Sequence, residues 1–296
     1  MNLIKPKNLK TGDTIAIIAP SGEVNIEKIN SAVKYFESKG YNIKLGNNLT
    51  KCKNYLAGCD TERAEDLNNA FLDEEVNAII CARGGYGAIR LLDKINYDVI
   101  KNNPKIFCGY SDITALSAII LKNTGLITFS GPMAQSDFSN DINTFTENKF
   151  FEALSFMQSK IIPDNLKIYN SGECEGILFG GNLATIASLC GVDFIPDEKF
   201  IFFAEDICEP VYKIDRYFTQ LMNIEKFRNN LSGIVLGDFL ESDDNKILEE
   251  FFLELAKKSD IPIFGGYPIS HDKRKTTIPV GAQAKIDRNG TIYLKY

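Results

Sequence analysis

The sequence predicts an α/β fold built on a parallel sheet with helices on both faces. Short apolar runs alternate with segments of helical periodicity along the 296 residues, which is typical of successive βαβ units. Turn-forming strings rich in Gly, Ser and Pro come directly after several of the apolar runs. Because ligands of such sheets gather at the carboxyl ends of the strands, these turns are the expected location of a functional site.

The first half of the chain contains predicted strands at 14–19, 41–45, 76–82, 105–110 and 126–129. Each is a short apolar run followed by a turn or by apolar residues at helical spacing. The intervening helices are predicted at 26–36, 60–71, 89–95 and 112–122. Turns at the carboxyl ends of these strands are predicted at 20–22, 83–87, 110–112 and 130–133.

The second half resumes the alternation after a more polar stretch with weaker periodicity. We predict a first domain over 1–150, a linker over 151–175 and a second domain over 176–296. Strands are predicted at 177–179, 200–204, 233–236 and 261–264, with helices at 183–189, 212–222 and 246–257. Asn289-Gly290, between apolar runs at 284–286 and 291–294, is a strong signal for a two-residue hairpin.

The composition is that of a soluble globular protein and argues against several classes of partner. Hydrophobic residues make up 44% and charged residues 24% of the chain, and the formal net charge is −6. With no basic block in the sequence, we expect no nucleic-acid binding and no attraction to acidic membranes. The N-terminus lacks the apolar segment of a signal peptide, and no run is long enough to span a membrane. We therefore expect a cytoplasmic protein.

The cysteine and histidine counts argue against disulfides and metal. The seven cysteines are an odd number, and no two of them form a C-x-x-C pair. Several, such as Cys81, lie within apolar runs, which favours buried free thiols in a reducing compartment. The single histidine excludes zinc sites built from two or three imidazoles, so we expect no metal.

The stretch 105–116 carries the first candidate for chemistry. An apolar run ends at Gly109 and helical spacing begins at Ile113, so Ser111 falls on a tight turn between a strand and a helix. A nucleophile elbow places its serine in this way, although Ile113 stands where the G-x-S-x-G pattern has its second glycine. The alternative, favoured by the local sequence alone, is that Ser111 or Asp112 caps the helix.

A serine hydrolase in this chain has one candidate for its base, because His271 is the only histidine. Glu205 follows the apolar run 201–204 and would accept the second ring N–H of His271, whereas Glu209 is close enough in sequence to take the same place. The chain order Ser, Glu, His is the order found where a nucleophile elbow precedes its acid and base. The alternatives are a surface histidine and a Glu205 that only ends a strand or caps a helix.

Two glycine-rich turns are candidates for contacts with a substrate. The turn 83–87 presents backbone N–H groups that would form an oxyanion hole with the amide of Asp112, the alternative being an ordinary turn. It is a poor dinucleotide-binding fingerprint because Arg90 stands where the last glycine is needed, and no phosphate-loop string occurs, so we expect no cofactor. Asn182, which follows a Gly-Gly pair, either contacts a substrate or caps a helix.

Seven groups of motifs occur in an order that covers nearly the whole chain, and together they resemble the L,D-carboxypeptidase family. This family of serine peptidases includes the muramoyltetrapeptide carboxypeptidases and the microcin C immunity enzymes. The motifs are Gly12-Asp13 with Ala19-Pro20-Ser21, Arg83-Gly84-Gly85-Tyr86-Gly87, Gly109-Tyr110-Ser111-Asp112-Ile113-Thr114, Ser130-Gly131-Pro132-Met133, Gly180-Gly181-Asn182-Leu183, Glu205-Asp206 with Glu209-Pro210 and Ile214-Asp215-Arg216, and Gly266-Tyr267-Pro268 leading to His271.

The resemblance implies a flavodoxin-like N-terminal domain that carries Ser111. It also implies a smaller, barrel-like α/β C-terminal domain that carries Glu205 and His271. The site would then lie between the domains, in a protein that is commonly a homodimer. The implied activity is release of a terminal D-amino acid, D-Ala, from murein tetrapeptides during cell-wall recycling.

The resemblance also implies roles for residues around the nucleophile. The amides of Gly85 and Asp112 would hold the oxyanion, and Arg83 is a candidate to pair with the terminal carboxylate of the substrate. Tyr86 and Asn182 would be further substrate contacts.

Two other functions remain open, and two departures from the family pattern bear on the site. A hydrolase of peptidyl or aminoacyl nucleotides and a non-catalytic binding protein would both fit the same two-domain plan. The family often has His before Gly-Pro-Met, where this chain has Ser130. Residues 272–275 are more basic than usual, and we expect them to alter the rim of the site.

Overall fold

The computed structural model describes residues 2–139 and 141–296, and the predicted α/β class is confirmed. The strands are β1 (Thr14–Ile18), β2 (Asn42–Leu45), β3 (Val76–Cys81), β4 (Ile106–Cys108), β5 (Thr128–Ser130), β6 (Lys160–Ile161), β7 (Lys167–Asn170), β8 (Cys174–Asn182), β9 (Phe200–Ile207), β10 (Leu231–Leu240), β11 (Ile263–Gly265), β12 (Ile278–Val280), β13 (Gln283–Ile286) and β14 (Ile292–Lys295). The α-helices are α1 (Ile26–Ser38), α2 (Asp60–Leu72), α3 (Tyr97–Asn102), α4 (Thr114–Thr124), α5 (Ala134–Asp137), α6 (Thr144–Leu154), α7 (Leu183–Ser188), α8 (Val211–Met222), α9 (Glu225–Asn230) and α10 (Asn245–Lys257).

The first sheet has the strand order β12-β5-β4-β3-β1-β2. The strands from β1 to β5 all pair in parallel, and β12 adds to β5 in the antiparallel sense. The order β2-β1-β3-β4-β5 is that of flavodoxin-like sheets, so the predicted architecture of the N-terminal half is confirmed. Two of its interior strands, β1 and β3, are almost wholly buried and mostly apolar, as expected where helices cover both faces.

The second sheet has eight strands in the order β6-β14-β13-β8-β9-β10-β11-β7. Its central strands β8, β9, β10 and β11 are parallel, and antiparallel strands complete both sides. The segment predicted as a linker, 151–175, contributes the two outermost strands β6 and β7. Conversely, β12 lies within the predicted C-terminal domain but belongs to the first sheet. The chain therefore crosses between the sheets more often than the sequence suggests.

The two sheets meet around α4, whose residues from Thr114 to Leu121 are all buried. The Thr114 hydroxyl accepts the backbone N–H of Asn182 at 3.2 Å. A methyl group added to Gly181 would lie 2.6 Å from the Thr114 side chain, so the close approach of β8 to the start of α4 needs a glycine. This contact fixes the start of α4, which directly follows Ser111, against the second sheet.

Candidate active site

Ser111 lies on a strained turn between β4 and α4. A short 3₁₀ segment, Ser111–Ile113, connects the two elements, and Ser111 has φ of +62° in the left-handed region. A non-glycine residue in this region is sterically costly and is often found at functional sites. Neither this segment nor α4 has a side-chain hydrogen bond at its N-cap, so Ser111 and Asp112 do not cap α4. The strand, turn and helix instead have the arrangement of a nucleophile elbow.

The Asp112 carboxylate ties the elbow to two neighbouring turns. Its Oδ2 accepts the Ser21 hydroxyl at 2.5 Å and the backbone N–H of Ala88 at 2.8 Å. Burial raises the pKa of Asp112, and these two hydrogen bonds oppose part of that rise. Three of the predicted turns, after β1, β3 and β4, therefore converge at one edge of the first sheet.

The glycine turn after β3 packs directly on Ser111. The Gly84 carbonyl accepts the backbone N–H of Gly22 at 3.3 Å, and Gly85 has φ of +124°. Within the described part of the chain, the backbone amides of Gly85 and Asp112 donate to no other group. Amides without an acceptor in the protein are donors that a ligand oxygen would satisfy.

Gly84→Ala is expected to lower kcat by about 10²-fold, because misplacing a reacting group by about 1 Å has a cost of this order. The added methyl group would lie 2.8 Å from Ser111 Cβ and 2.9 Å from its Oγ. Gly265→Ala is a matched control, since its methyl group would lie 3.0 Å from the Tyr169 ring, outside the cleft. Steady-state kinetics of both variants on one substrate check the prediction. Equal losses in the two would contradict it.

His271 is held by a buried carboxylate. Its Nδ1 lies 2.6 Å from Glu205 Oε2, and the Glu205 residue is 3% exposed. If Glu205 accepts from Nδ1–H, the other ring nitrogen is left unprotonated and available as a base. Glu209, the alternative acid, instead lies 3.2 Å from the Lys213 ammonium. The geometry therefore selects Glu205 as the partner of the imidazole.

One cleft brings the imidazole and the serine together from the two sheets. Ser111 and His271 both line a cleft of about 330 Å³. The Tyr110 ring, adjacent to Ser111 in the chain, meets the imidazole edge-on with ring centres 5.0 Å apart. The other lining residues are Lys28, Arg83, Gly84, Gly85, Met133, Gln135 and Ser136.

The three predicted substrate contacts lie in different surroundings. Arg83 lines the cleft, and its Nε and Nη1 donate to backbone carbonyls of Gly84 and Glu23. Tyr86 is 49% exposed and lies beside Tyr55, with ring centres 5.9 Å apart, rather than along the cleft.

Asn182 has the alternative role that the sequence left open, since it caps α7. Its Oδ1 accepts the backbone N–H of Thr185 at 3.0 Å, and its Nδ2 donates to Asp206 Oδ1 at 2.8 Å. Both ends of the side chain are therefore used within the protein. Asn182 therefore holds the carboxyl end of β9, where Glu205 lies.

Asp206 makes the stability of the protein depend on pH. Burial raises the pKa of its carboxyl from 3.8 to about 6, against the opposing hydrogen bonds from Ala184, Ile207 and Asn182. Between these two pH values the folded protein retains a proton that the unfolded chain has lost. The contribution of Asp206 to the free energy of unfolding therefore falls as pH rises from about 4 to about 6, by about 3 kcal/mol in total.

Urea unfolding of the wild type and of Asp206→Asn at about pH 4 and about pH 7 checks this linkage. The free energy of unfolding of the wild type, relative to that of the variant, should fall as pH rises, because asparagine does not titrate. A difference that stays constant or grows with pH would contradict the prediction.

No residue of the basic segment 272–275 is among those that line the cleft. Lys275 is 3% exposed, and its ammonium lies 2.7 Å from the buried carboxylate of Asp137. Arg274 stacks over the Phe145 ring, 3.6 Å from its centre, and pairs with Asp164.

Lys28, on α1, lines the cleft but was not predicted from the sequence. An exposed lysine on an amphipathic helix has no local pattern that indicates a function.

Two features are absent from residues 2–139 and 141–296. No helix among them is both long enough and apolar enough to cross a bilayer. No group of three or more His, Cys, Asp or Glu side chains in the same residues is arranged to hold a metal ion. The seven cysteines are present as free thiols, with Cys81 and Cys108 buried in the first sheet.

A serine on a strained strand-to-helix turn, beside an imidazole paired with a carboxylate, is typical of serine hydrolases. Comparison with protein families matches residues 15–131 to the LD-carboxypeptidase N-terminal domain and residues 175–286 to the LD-carboxypeptidase C-terminal domain. The chain belongs to the LD-carboxypeptidase family, which makes it a serine peptidase of the carboxypeptidase class.

Individual relatives cover almost the whole chain. A probable murein peptide carboxypeptidase of Bacillus subtilis is 36% identical over an alignment of 293 positions, which covers 96% of this chain and 91% of the relative. The crystal structure of muramoyltetrapeptide carboxypeptidase from Oxalobacter formigenes has a TM-score of 0.85 at 32% identity, covering 95% of this chain and 97% of that one. An MccF-like protein from Bacillus anthracis has a TM-score of 0.91 at 28% identity, covering 99% and 100%.

Proposed function

We propose that this protein is a serine L,D-carboxypeptidase that releases the terminal D-alanine of murein tetrapeptides, with Ser111, Glu205 and His271 as its triad. The observation that carries the proposal is the 2.6 Å contact between His271 and Glu205 beside the cleft that Ser111 also lines. The similarity to murein peptide carboxypeptidases supports the choice of substrate. Murein peptides recovered for recycling would be met in the cytoplasm.

In the proposed reaction His271 accepts the proton of the Ser111 hydroxyl as the oxygen attacks the carbonyl carbon of the L-centre. Glu205 stabilises the imidazolium that forms and keeps the ring in the required tautomer. His271 then gives its proton to the amine of the departing D-amino acid. In the second half of the reaction His271 accepts a proton from water, and the water oxygen attacks the acyl-enzyme. His271 then returns the proton to the Ser111 oxygen, which regenerates the serine hydroxyl.

The backbone amides of Gly85 and Asp112 supply the oxyanion hole in this proposal. Both lack an acceptor within the described residues and lie on turns that meet at Ser111. Donors that are fixed before the reaction stabilise the developing negative charge without reorganising at that moment. The hydrogen bonds of the Asp112 side chain keep its turn in place.

A carboxypeptidase must also hold the free carboxylate of its substrate. Arg83 and Lys28 are the cationic side chains that line the cleft. Two donors of Arg83 bond to backbone carbonyls, which fixes the direction of the guanidinium and leaves Nη2 for a ligand. We assign the terminal carboxylate to this pair of cations.

Defined peptides test the proposed function. A murein tetrapeptide ending in D-alanine should be hydrolysed, whereas the same peptide ending in L-alanine and the version with an amidated terminus should react far more slowly. An aminoacyl nucleotide is included because a similar structure, that of the microcin C7 self-immunity protein MccF, contains aspartyl sulfamoyl adenosine. D-Alanine release measured by chromatography supports the proposal. Turnover of the nucleotide conjugate alone, or of none of these compounds, would refute it.

A further inference from the structure

Buried polar contacts hold the loop 266–277, which connects β11 to β12 and carries His271, against α6 and the segment that follows it. The Thr146 hydroxyl, on α6, accepts the backbone N–H of Lys275 at 2.9 Å and donates to the carbonyl of Lys273 at 2.7 Å. The Gln158 amide donates to the Thr276 hydroxyl at 3.1 Å. Directly afterwards the chain forms β12, which pairs with β5 of the first sheet. The imidazole therefore reaches the cleft from a loop that is anchored on the Ser111 side.

The same loop contributes a buried ion pair. The side chains of Lys275 and Asp137 are 4% and 8% exposed, and their charged atoms lie 2.7 Å apart. Asp137 also accepts the backbone N–H of Met133, a residue of the cleft wall, at 2.9 Å. Because desolvation of two ions offsets much of their attraction, such a pair is poor evidence for a role in stability.

Tyr110 connects the ion pair to both proposed catalytic groups. Lys275 Nζ donates to the Tyr110 hydroxyl at 3.0 Å and lies 4.2 Å from the ring centre. The same ring packs edge-on against the His271 imidazole. Tyr110 also directly precedes Ser111 in the chain. A shift of Tyr110 would therefore move the base and the nucleophile relative to each other.

We propose that Lys275 and Asp137 are positioning residues that act through Tyr110 to keep His271 aligned with Ser111. This inference rests on the proposed function. It follows from the connectivity, because Ser111 comes after β4 of the first sheet whereas the loop that carries His271 begins at β11 of the second sheet, so their alignment needs a fixed contact of its own. Neither member of the pair lines the cleft, so the pair acts on the geometry of proton transfer and not on substrate binding.

Lys275→Met and Asp137→Asn are expected to lower kcat about tenfold or more while KM stays within about twofold, because alignment and not binding is lost. The rate at which a fluorophosphonate labels Ser111 should fall by the same factor, since it reports the nucleophile without the peptide. Tyr110→Phe keeps the ring and its packing and removes only the hydroxyl that accepts from Lys275, so it tests the contact even if the other two variants do not fold. It should show a smaller fall in both rates.

Two controls separate positioning from stability. Asp164→Asn breaks the exposed ion pair with Arg274, which lies in the same loop as Lys275. This variant should leave kcat and the labelling rate unchanged. The double variant Lys275→Met/Asp137→Asn leaves no unpaired buried charge, so its Tm should recover relative to the single variants while kcat stays low.

Wild-type rates in Lys275→Met and Tyr110→Phe, or recovery of kcat together with Tm in the double variant, would overturn the positioning role. A loss in Asp164→Asn equal to that in Asp137→Asn would do the same. A wild-type protein that neither labels at Ser111 nor releases D-alanine would instead refute the proposed function.

Discussion

Ser111→Ala is expected to lower kcat by about 10⁶-fold, the scale seen when a serine peptidase loses its nucleophile. The hydroxyl is the only group removed, and alanine has the same Cβ, so the strained backbone at φ of +62° stays as it is. The folded structure should therefore be retained, and Tm should change little. Steady-state kinetics on the tetrapeptide, with circular dichroism and thermal unfolding of the same samples, make the comparison.

Ser117→Ala is the matched control for this experiment. Ser117 lies on α4, buried, and its hydroxyl has no hydrogen-bond partner within the described residues. Removing that hydroxyl breaks no bond and alters no group of the cleft, so kcat should stay near that of the wild type. A Ser111→Ala protein with more than about 1% of wild-type activity would show that another group is the nucleophile, because loss of a true nucleophile removes far more.

Glu205→Gln is expected to lower kcat by about 10⁴-fold, the effect of replacing a triad acid by its amide. Glutamine keeps the shape of the side chain, but its amide N–H can face Nδ1 and then favours the wrong tautomer of His271. The developing imidazolium also loses the charge 2.6 Å away that stabilises it. Because the carboxylate is buried, solvent screens this loss only weakly.

Glu209→Gln is the matched control, because Glu209 is the other carboxylate that the sequence offers as the triad acid. Its carboxylate pairs with Lys213 and does not contact His271 in the structure. The loss of kcat should therefore be far smaller than in Glu205→Gln, with both variants assayed under one set of conditions. A larger loss in the Glu209 variant would show that the acid had been assigned to the wrong residue.

The sequence predicted the elements that are long and strongly patterned, and it missed those that depend on remote partners. The interior strands β1 and β3 are mostly apolar and buried, so the sequence pattern predicts both. By contrast, β12 is three residues long and contains Pro279, which is tolerated because the strand lies at the edge of the first sheet. Likewise β6, with two residues, exists only because β14 pairs with it.

The candidate site shows the same division. Ser111, Glu205 and His271 were found because each stands next to a strand end or turn that the local pattern marks. The sequence could not choose between Glu205 and Glu209, since the choice depends on which carboxylate reaches the imidazole. Lys275 was expected at the rim because its buried partner, Asp137, lies 138 residues earlier in the chain. No local pattern distinguishes such a lysine from an exposed one.

Peptide mapping by mass spectrometry after fluorophosphonate treatment tests most directly that His271 activates Ser111. The wild-type protein is expected to carry one adduct, on the peptide that contains Ser111, and His271→Ala should label at least about 10²-fold more slowly because a general base contributes on this scale. Equal labelling of the two proteins, or D-alanine release by a wild-type sample whose Ser111 cannot be labelled, would contradict the proposed triad.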